Sequence, residues 1–217
     1  MKIMAILLSI AMLTSCAYSP LATSPLRTKD FYENRQEKDS ITLVCLPYST
    51  SGASSMVFGT DLLSAGIIPL EIILFNDSNK EYDLSKISVR LSDSGDKAIG
   101  LFSPEKVSKE VHRSTAKRTL SWGLVGTLFF IFTIPFAFAA WFDSYRANRQ
   151  TKRALKKFSF HPAFLKPRDT ARWFVYLDMS SRLKGHLAGS AKDLLIELSG
   201  VQAKDNPKPI HFALVIS

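Results

Sequence analysis

The sequence predicts a mainly β domain interrupted by a helical, strongly apolar insertion, and three observations carry that prediction. Short apolar runs separated by turn residues occur before residue 102, runs of the same kind return after residue 161, and between them Thr119 to Phe142 holds no charged residue. Short bounded runs read as strands, whereas about 24 uncharged residues suffice for a helix through a hydrocarbon layer of roughly 30 Å. With 46% hydrophobic residues, 22% charged and Gly and Pro at 10 each, the chain can bury a core and is neither disordered nor collagenous. Two cysteines without C-x-x-C spacing exclude a disulfide-rich scaffold and a zinc or redox pair.

At the N-terminus, Met1-Lys2 is a short basic start and Ile3 to Leu13 an apolar run of signal-peptide length, too short to span a bilayer. Leu13-Thr14-Ser15-Cys16, placed at the end of that run, resembles the lipobox of bacterial lipoproteins: a branched apolar residue, two small residues and the cysteine. The resemblance implies that residues 1–15 are a signal peptide removed before Cys16, that the Cys16 sulfur is diacylated with palmitate-type chains, and that the new amino terminus is acylated as well. At about 0.8 kcal/mol per buried CH2, two or more chains hold a protein stably on a membrane. Ala17 stands where an aspartate would imply retention at the inner membrane. The implied location is therefore the bacterial cell envelope, facing the periplasm, with the outer membrane favoured over the inner. Lipidation leaves Cys45 alone, and its apolar surroundings predict a buried small hydrophobe.

Residues 16–40, rich in Ser, Pro, Thr and mixed charge, read as a tether reaching at most about 80 Å. In the next stretch, 41–102, strands are expected at Ile41–Leu46, at Ile67–Phe75 with Pro69 near its start, and at Ile87–Leu91, separated by turns such as Asn76-Asp77-Ser78-Asn79. Across 161–217, strands are expected at Trp173–Leu177, Leu194–Leu198 and Ile210–Ile216. Three strands bury too little to stand alone. The two stretches are therefore expected to be halves of one immunoglobulin-like β-sandwich.

The insertion occupies 103–160. Ser103-Pro104-Glu105 has the cap, the first-turn proline and the first-turn acid of a helix start. Trp122 and Trp141, 19 positions or about 28 Å apart on a helix, would sit at two membrane interfaces. Phe129, Phe130, Phe132, Phe136 and Phe138 point around the whole circumference, which suits lipid or partner chains rather than the core of a small sandwich. After Asp143 a basic helix follows. Arg146, Arg149, Lys152, Arg153, Lys156 and Lys157 form a stripe suited to anionic lipid headgroups, and Ala147, Thr151, Ala154, Leu155 and Phe158 form a weaker apolar face.

Five basic residues precede the apolar run (Lys106, Lys109, Arg113, Lys117, Arg118) and six follow it, so the positive-inside bias is nearly nil. A single crossing would put the two half-sandwiches on opposite sides of a membrane, where they could not pair. A hairpin turning near Pro135 removes the conflict and is the preferred reading.

No catalytic residues are assigned. H-E-x-x-H, G-x-S-x-G, G-x-G-x-x-G and Walker patterns are missing, and His112, His161, His186 and His211 lack ligand spacing. Ser103 to Lys106 and Ser114 to Lys117 match Ser-x-x-Lys without its partner motifs. Asp77, Asn79, Glu81 and Asp83 alternate, but Tyr82 and Ser88 occupy the positions where a calcium loop needs Gly and Glu, so they read as a turn with solvated acids. No metal or cofactor is expected. The net charge of +9 could serve nucleic acid, but export argues against that.

The expected function is non-enzymatic: a binding or structural envelope lipoprotein. It would contact membrane lipids through its acyl anchor and apolar insertion, with a further envelope protein or a second copy of the chain as partner. The alternatives are a subunit of an oligomeric membrane assembly and an envelope hydrolase whose site is assembled from residues distant in sequence.

Overall fold

The structure is a computed structural model that describes residues 25–92, 98–111, 148–159, 162–179, 194–206 and 208–216. Its elements are, in order, β1 (Arg35–Lys38), β2 (Ile41–Pro47), α1 (Ser51–Phe58), β3 (Ile67–Asn76), β4 (Tyr82–Asp83), β5 (Ser88–Ser92) and β6 (Leu101–Phe102). Helical residues 104–111 (α2) and 148–159 (α3) follow, and then β7 (Phe164–Leu165), β8 (Thr170–Asp178), β9 (Leu194–Ala203) and β10 (Pro209–Ile216). Two antiparallel sheets result. Sheet I has the order β1-β2-β3-β8-β6, and sheet II the order β10-β9-β4-β7 with β5 also on β9.

The pairings join the two ends of the chain. Ile67 to Phe75 of β3 pair with Asp178 to Thr170 of β8, and Ser88 to Ser92 of β5 with Ser199 to Leu195 of β9. One apolar core lies between the sheets. Leu43, Leu70, Ile72, Leu74 and Trp173 enter it from sheet I, and Ile196, Leu198, Phe212 and Leu214 from sheet II. Segments before residue 102 and after residue 162 therefore belong to one body.

Side-chain alternation shows why the strands read differently in sequence. In β10 the burial alternates strictly, since Ile210, Phe212, Leu214 and Ile216 face the core and their neighbours face solvent. In β3 it does not. Leu70, Ile72 and Leu74 face the core, while Ile67 and Ile73 are buried under other elements on the opposite face. Among the described residues, sheet I is covered on both faces and sheet II on one.

Pro69 sits in this interior strand, where a missing donor would normally break a ladder. Its carbonyl accepts from the Tyr48 N–H at 2.9 Å, so its backbone polar groups point past the end of β2, which stops at Pro47. The missing N–H thus falls outside both ladders.

The expected tether needs correction for its last part. Lys29–Phe31 form a 3-10 turn, Tyr32 is buried, and β1 pairs with β2 from Arg35↔Val44 to Lys38↔Ile41. The two-residue connection Asp39-Ser40 has φ of 53° and 62°, the primed turn that matches strand twist. β1 also caps the edge of sheet II, because Gln36 Oε1 accepts from the Ala213 N–H at 2.8 Å and Lys38 Nζ donates to the His211 carbonyl at 3.3 Å. The stretch between Cys16 and the first described residue then spans at most about 30 Å rather than 80 Å.

Candidate functional site

The helices and the N-terminal segment converge on the outer face of sheet I, the face turned away from the core. Thr50 starts α1, accepting at Oγ1 from the Ala53 N–H at 3.2 Å, and Gly59 ends it in the left-handed conformation at φ 71°. This places Phe58 at the centre of a second apolar cluster. Its ring meets Phe174 at 5.2 Å, Tyr176 at 5.8 Å and Phe158 at 6.0 Å, all edge-on. Val107 and Val111 of α2 and Leu155 of α3 complete the cluster.

Two buried hydrogen bonds hold α3. Thr151 Oγ1 donates to the Phe58 carbonyl at 3.2 Å, and the Tyr176 hydroxyl donates to the Leu155 carbonyl at 3.2 Å. Burial pushes the Tyr176 hydroxyl well above its ordinary range, so it remains a neutral donor. On the surface Lys156 Nζ lies 3.5 Å from Glu105 Oε1, linking α3 to α2. At the start of α2 the Glu105 carboxyl is held below its usual range, first by a main-chain hydrogen bond and then by Lys156. α2 and α3 thus rest side by side on one face.

The outward side of α3 is cationic, while that of α2 carries Lys106 and Lys109 beside Glu105 and Glu110. On α3, Thr151, Ala154 and Leu155 are buried, while Arg149, Lys152, Arg153, Lys156 and Lys157 are exposed. At about 100° per residue those five centre on the side opposite Thr151. On α2, Val107 and Val111 are buried and Lys106 and Lys109 exposed. Sequence reasoning assigned the first five to a lipid-binding stripe but missed Lys106 and Lys109, whose 3.6-residue phase relative to Val107 and Val111 was the available signal.

At the far end of the same face, Tyr32 covers Val44, Ile73 and Phe75. Between the two clusters lies a buried ion pair. Glu71 is 1% exposed; Arg172 Nε donates to its Oε1 and the Tyr48 hydroxyl to its Oε2 at 2.9 Å. Burial and the Glu71 charge push the Tyr48 hydroxyl up, keeping its proton in place. Sequence reasoning missed this group too, although lone charges in the apolar runs of β3 and β8 mark it.

Chemistry-bearing residues elsewhere are occupied. Ser103 Oγ accepts from the Lys106 N–H at 3.3 Å as a helix cap. Cys45 is buried in the core and its thiol pushed up by desolvation, which disfavours the nucleophilic thiolate. Asp77 pairs with Lys29 and Glu81 with Lys204, Asn79 accepts from Arg168, and Asp83 accepts from the Ser85 N–H, so the four do not converge. His211 is exposed on β10. Among the described residues no His, Cys, Asp and Glu cluster could hold a metal, and no helix is long and apolar enough to cross a membrane. Cys16, Trp122, Phe129, Phe130, Phe132, Phe136, Phe138, Trp141 and Arg146, with His112, His161 and His186, lie outside the described residues.

Comparison with family models, with curated proteins and with solved structures finds no match.

Proposed function

We propose that this chain is a non-enzymatic bacterial envelope lipoprotein, anchored through acyl chains on Cys16 and through an apolar hairpin, with a binding or structural role. The observation that carries the reading is the order basic start, apolar run, Leu13-Thr14-Ser15-Cys16. The hairpin gains support from α2 and α3, which share one cluster on one face, so the chain between them departs and returns on the same side. A single crossing would need them on opposite sides. Ala17 favours the outer membrane, with the domain in the periplasm.

The immunoglobulin-like reading draws support from strand order. β2-β3-β8-β6 corresponds to the order A-B-E-D and β10-β9-β5 to G-F-C, with the insertion between D and E. Domains of that architecture commonly present sheet faces and end loops to partners, in keeping with a binding role for this one.

The deciding experiment is metabolic labelling with a fatty-acid analogue, followed by membrane fractionation, for wild type and Cys16→Ala. The expected result is label on the wild type, a mature chain beginning at Cys16, and no label on the variant. Native protein that is unmodified, water-soluble and begins at Met1 overturns the reading.

A further inference from the structure

Cationic residues are distributed unequally over the domain. Around sheet II several of them meet acids: Lys80 lies 2.7 Å from Asp205, Lys204 lies 2.9 Å from Glu81, and Arg90 stands opposite Glu197 in the strand register. On the helical layer over sheet I, Lys106, Lys109, Arg149, Lys152 and Arg153 are exposed, and α3 carries no acid among its described residues. The surplus lies on the outward side of α3, because its inward side is filled by Thr151, Ala154 and Leu155.

The points of departure are unequal as well. The charge-free run begins eight positions after Val111 and ends six before Asn148, and both of those residues belong to helices on this face. The N-terminal segment that leads back to Cys16 lies on the same face through Tyr32. Beside it Leu26 and Phe31 are exposed at 46% and 56%, with the Arg27 guanidinium 3.9 Å above the Phe31 ring. An apolar side chain under a cation suits the headgroup boundary of a bilayer.

We infer that the outer face of sheet I is the side of the domain that lies against the membrane, with the basic side of α3 resting on anionic lipid headgroups and sheet II turned to the aqueous compartment. The inference rests on the anchored-lipoprotein reading and adds to it the orientation of the domain on the membrane. Anchors that leave from one face allow the domain to settle on that face, and a cationic surplus there is attracted to a negative surface within about a Debye length, roughly 8 Å at physiological ionic strength. Around sheet II the bases are interspersed with Glu81, Asp83, Glu197 and Asp205, which weakens any such attraction there.

The test uses full-length acylated protein in phosphatidylcholine vesicles with and without phosphatidylglycerol. A fluorophore is placed at Met56→Cys on the outer side of α1 or at Val215→Cys on the exposed side of β10, positions that are 55% and 53% exposed. With phosphatidylglycerol present, the label at 56 is expected to become several-fold less accessible to aqueous iodide than the label at 215. The difference should shrink without phosphatidylglycerol, or in the variant Lys152→Gln/Arg153→Gln/Lys156→Gln. In the Cys16→Ala chain that triple variant should lose on the order of 100-fold of its preference for anionic over neutral vesicles. Equal accessibility at both positions, stronger protection at 215, or an unchanged preference in the variant overturns the orientation. If acyl label and membrane fractionation persist in those cases, the lipoprotein reading stands and only the orientation fails.

Discussion

The hydroxyl of Thr151 in α3 donates across 93 positions of sequence to the main-chain carbonyl of Phe58 in α1, at 3.2 Å and out of contact with water. A carbonyl in the last turn of a helix has no partner within that helix, so this bond satisfies one that burial would otherwise strand. It ties the returning basic helix to the aromatic cluster on sheet I. Thr151→Val keeps the shape and removes the donor, and should cost about 1–2 kcal/mol in urea denaturation. Lys152→Gln, one position along on the solvent side, should stay within about 0.5 kcal/mol of wild type. Equal stabilities would mean that the bond does not hold the helix.

The same substitution should have the opposite sign at Thr42. Its hydroxyl is buried and, among the described residues, is the side-chain polar atom without a hydrogen-bond partner. It lies on β2 opposite Phe75, beside the cluster covered by Tyr32. Thr42→Val exchanges a stranded hydroxyl for a methyl of similar size and should stabilise by about 1 kcal/mol. A loss of stability in the same urea titration would show that the hydroxyl is satisfied in solution.

Legibility followed the physics of exposure. β10 and β5 have one dry face and one wet one, so alternation announced them; β3 and β8 were readable as unbroken apolar runs. The hairpin at Asp39-Ser40 was invisible because its residues are not the Asn-Gly or Asp-Gly that normally take positive φ. β1 carries Arg35, Gln36, Glu37 and Lys38, and is a strand through its ladder with β2 and its contacts to β10, not through any apolar pattern. The helix α1 is mostly Ser, Gly and Ala, so packing of Val57 and Phe58 holds it rather than propensity. Of the outward-facing site, the α3 stripe followed from periodicity. The Glu71–Arg172 pair did not, because pairing residues 101 positions apart needs the β3–β8 register.

Gly200 shows a local requirement of the β9 path. Its φ is +90°, and a Cβ there would stand 2.2 Å from the Lys86 carbonyl oxygen, against main chain that has nowhere to move. The register between β9 and β10 shifts at this point, between Ile210↔Val201 and Phe212↔Leu198, which marks a bulge. Strain and collision act together, so Gly200→Ala should destabilise by several kcal/mol, beyond the roughly 1 kcal/mol usual for a single substitution. Thermal unfolding followed by circular dichroism measures it, with Gly52→Ala as control. No atom stands within 4 Å of the position a Cβ would take at Gly52. A small effect at 200 would mean that the bulge relaxes.

Glu71 offers a test of the polar bridge between the two outer clusters. The carboxylate is buried, and Arg172 beside it retains 17% side-chain exposure. Glu71→Leu leaves the guanidinium without this partner and the Tyr48 hydroxyl without its acceptor. The loss should be about 3 kcal/mol, the lower end of the range for broken buried pairs because Arg172 can still reach water. Glu71→Leu/Arg172→Met should recover part of that loss, since an apolar pair needs no compensation. A double variant less stable than the sum of the singles would show that the arginine supports the face by other means.

Thiol counting tests the anchor and the core in one measurement. The chain has two cysteines, and Cys45 is buried with its thiol pushed up, so it is both inaccessible and protonated at neutral pH. Thiolate is the reacting form, and raising the pH to 9 should still leave Cys45 silent toward a maleimide in the native protein. In 8 M urea the apolar surroundings disappear and Cys45 should react with its full stoichiometry. If Cys16 carries an acyl chain as a thioether, membrane-derived protein gives no reactive thiol when native and one when unfolded. Two thiols in urea would mean an unmodified Cys16, and one in the native state would place Cys45 within reach of solvent, against its place in the core between the sheets. Mass analysis of the labelled peptides assigns whichever thiol reacts.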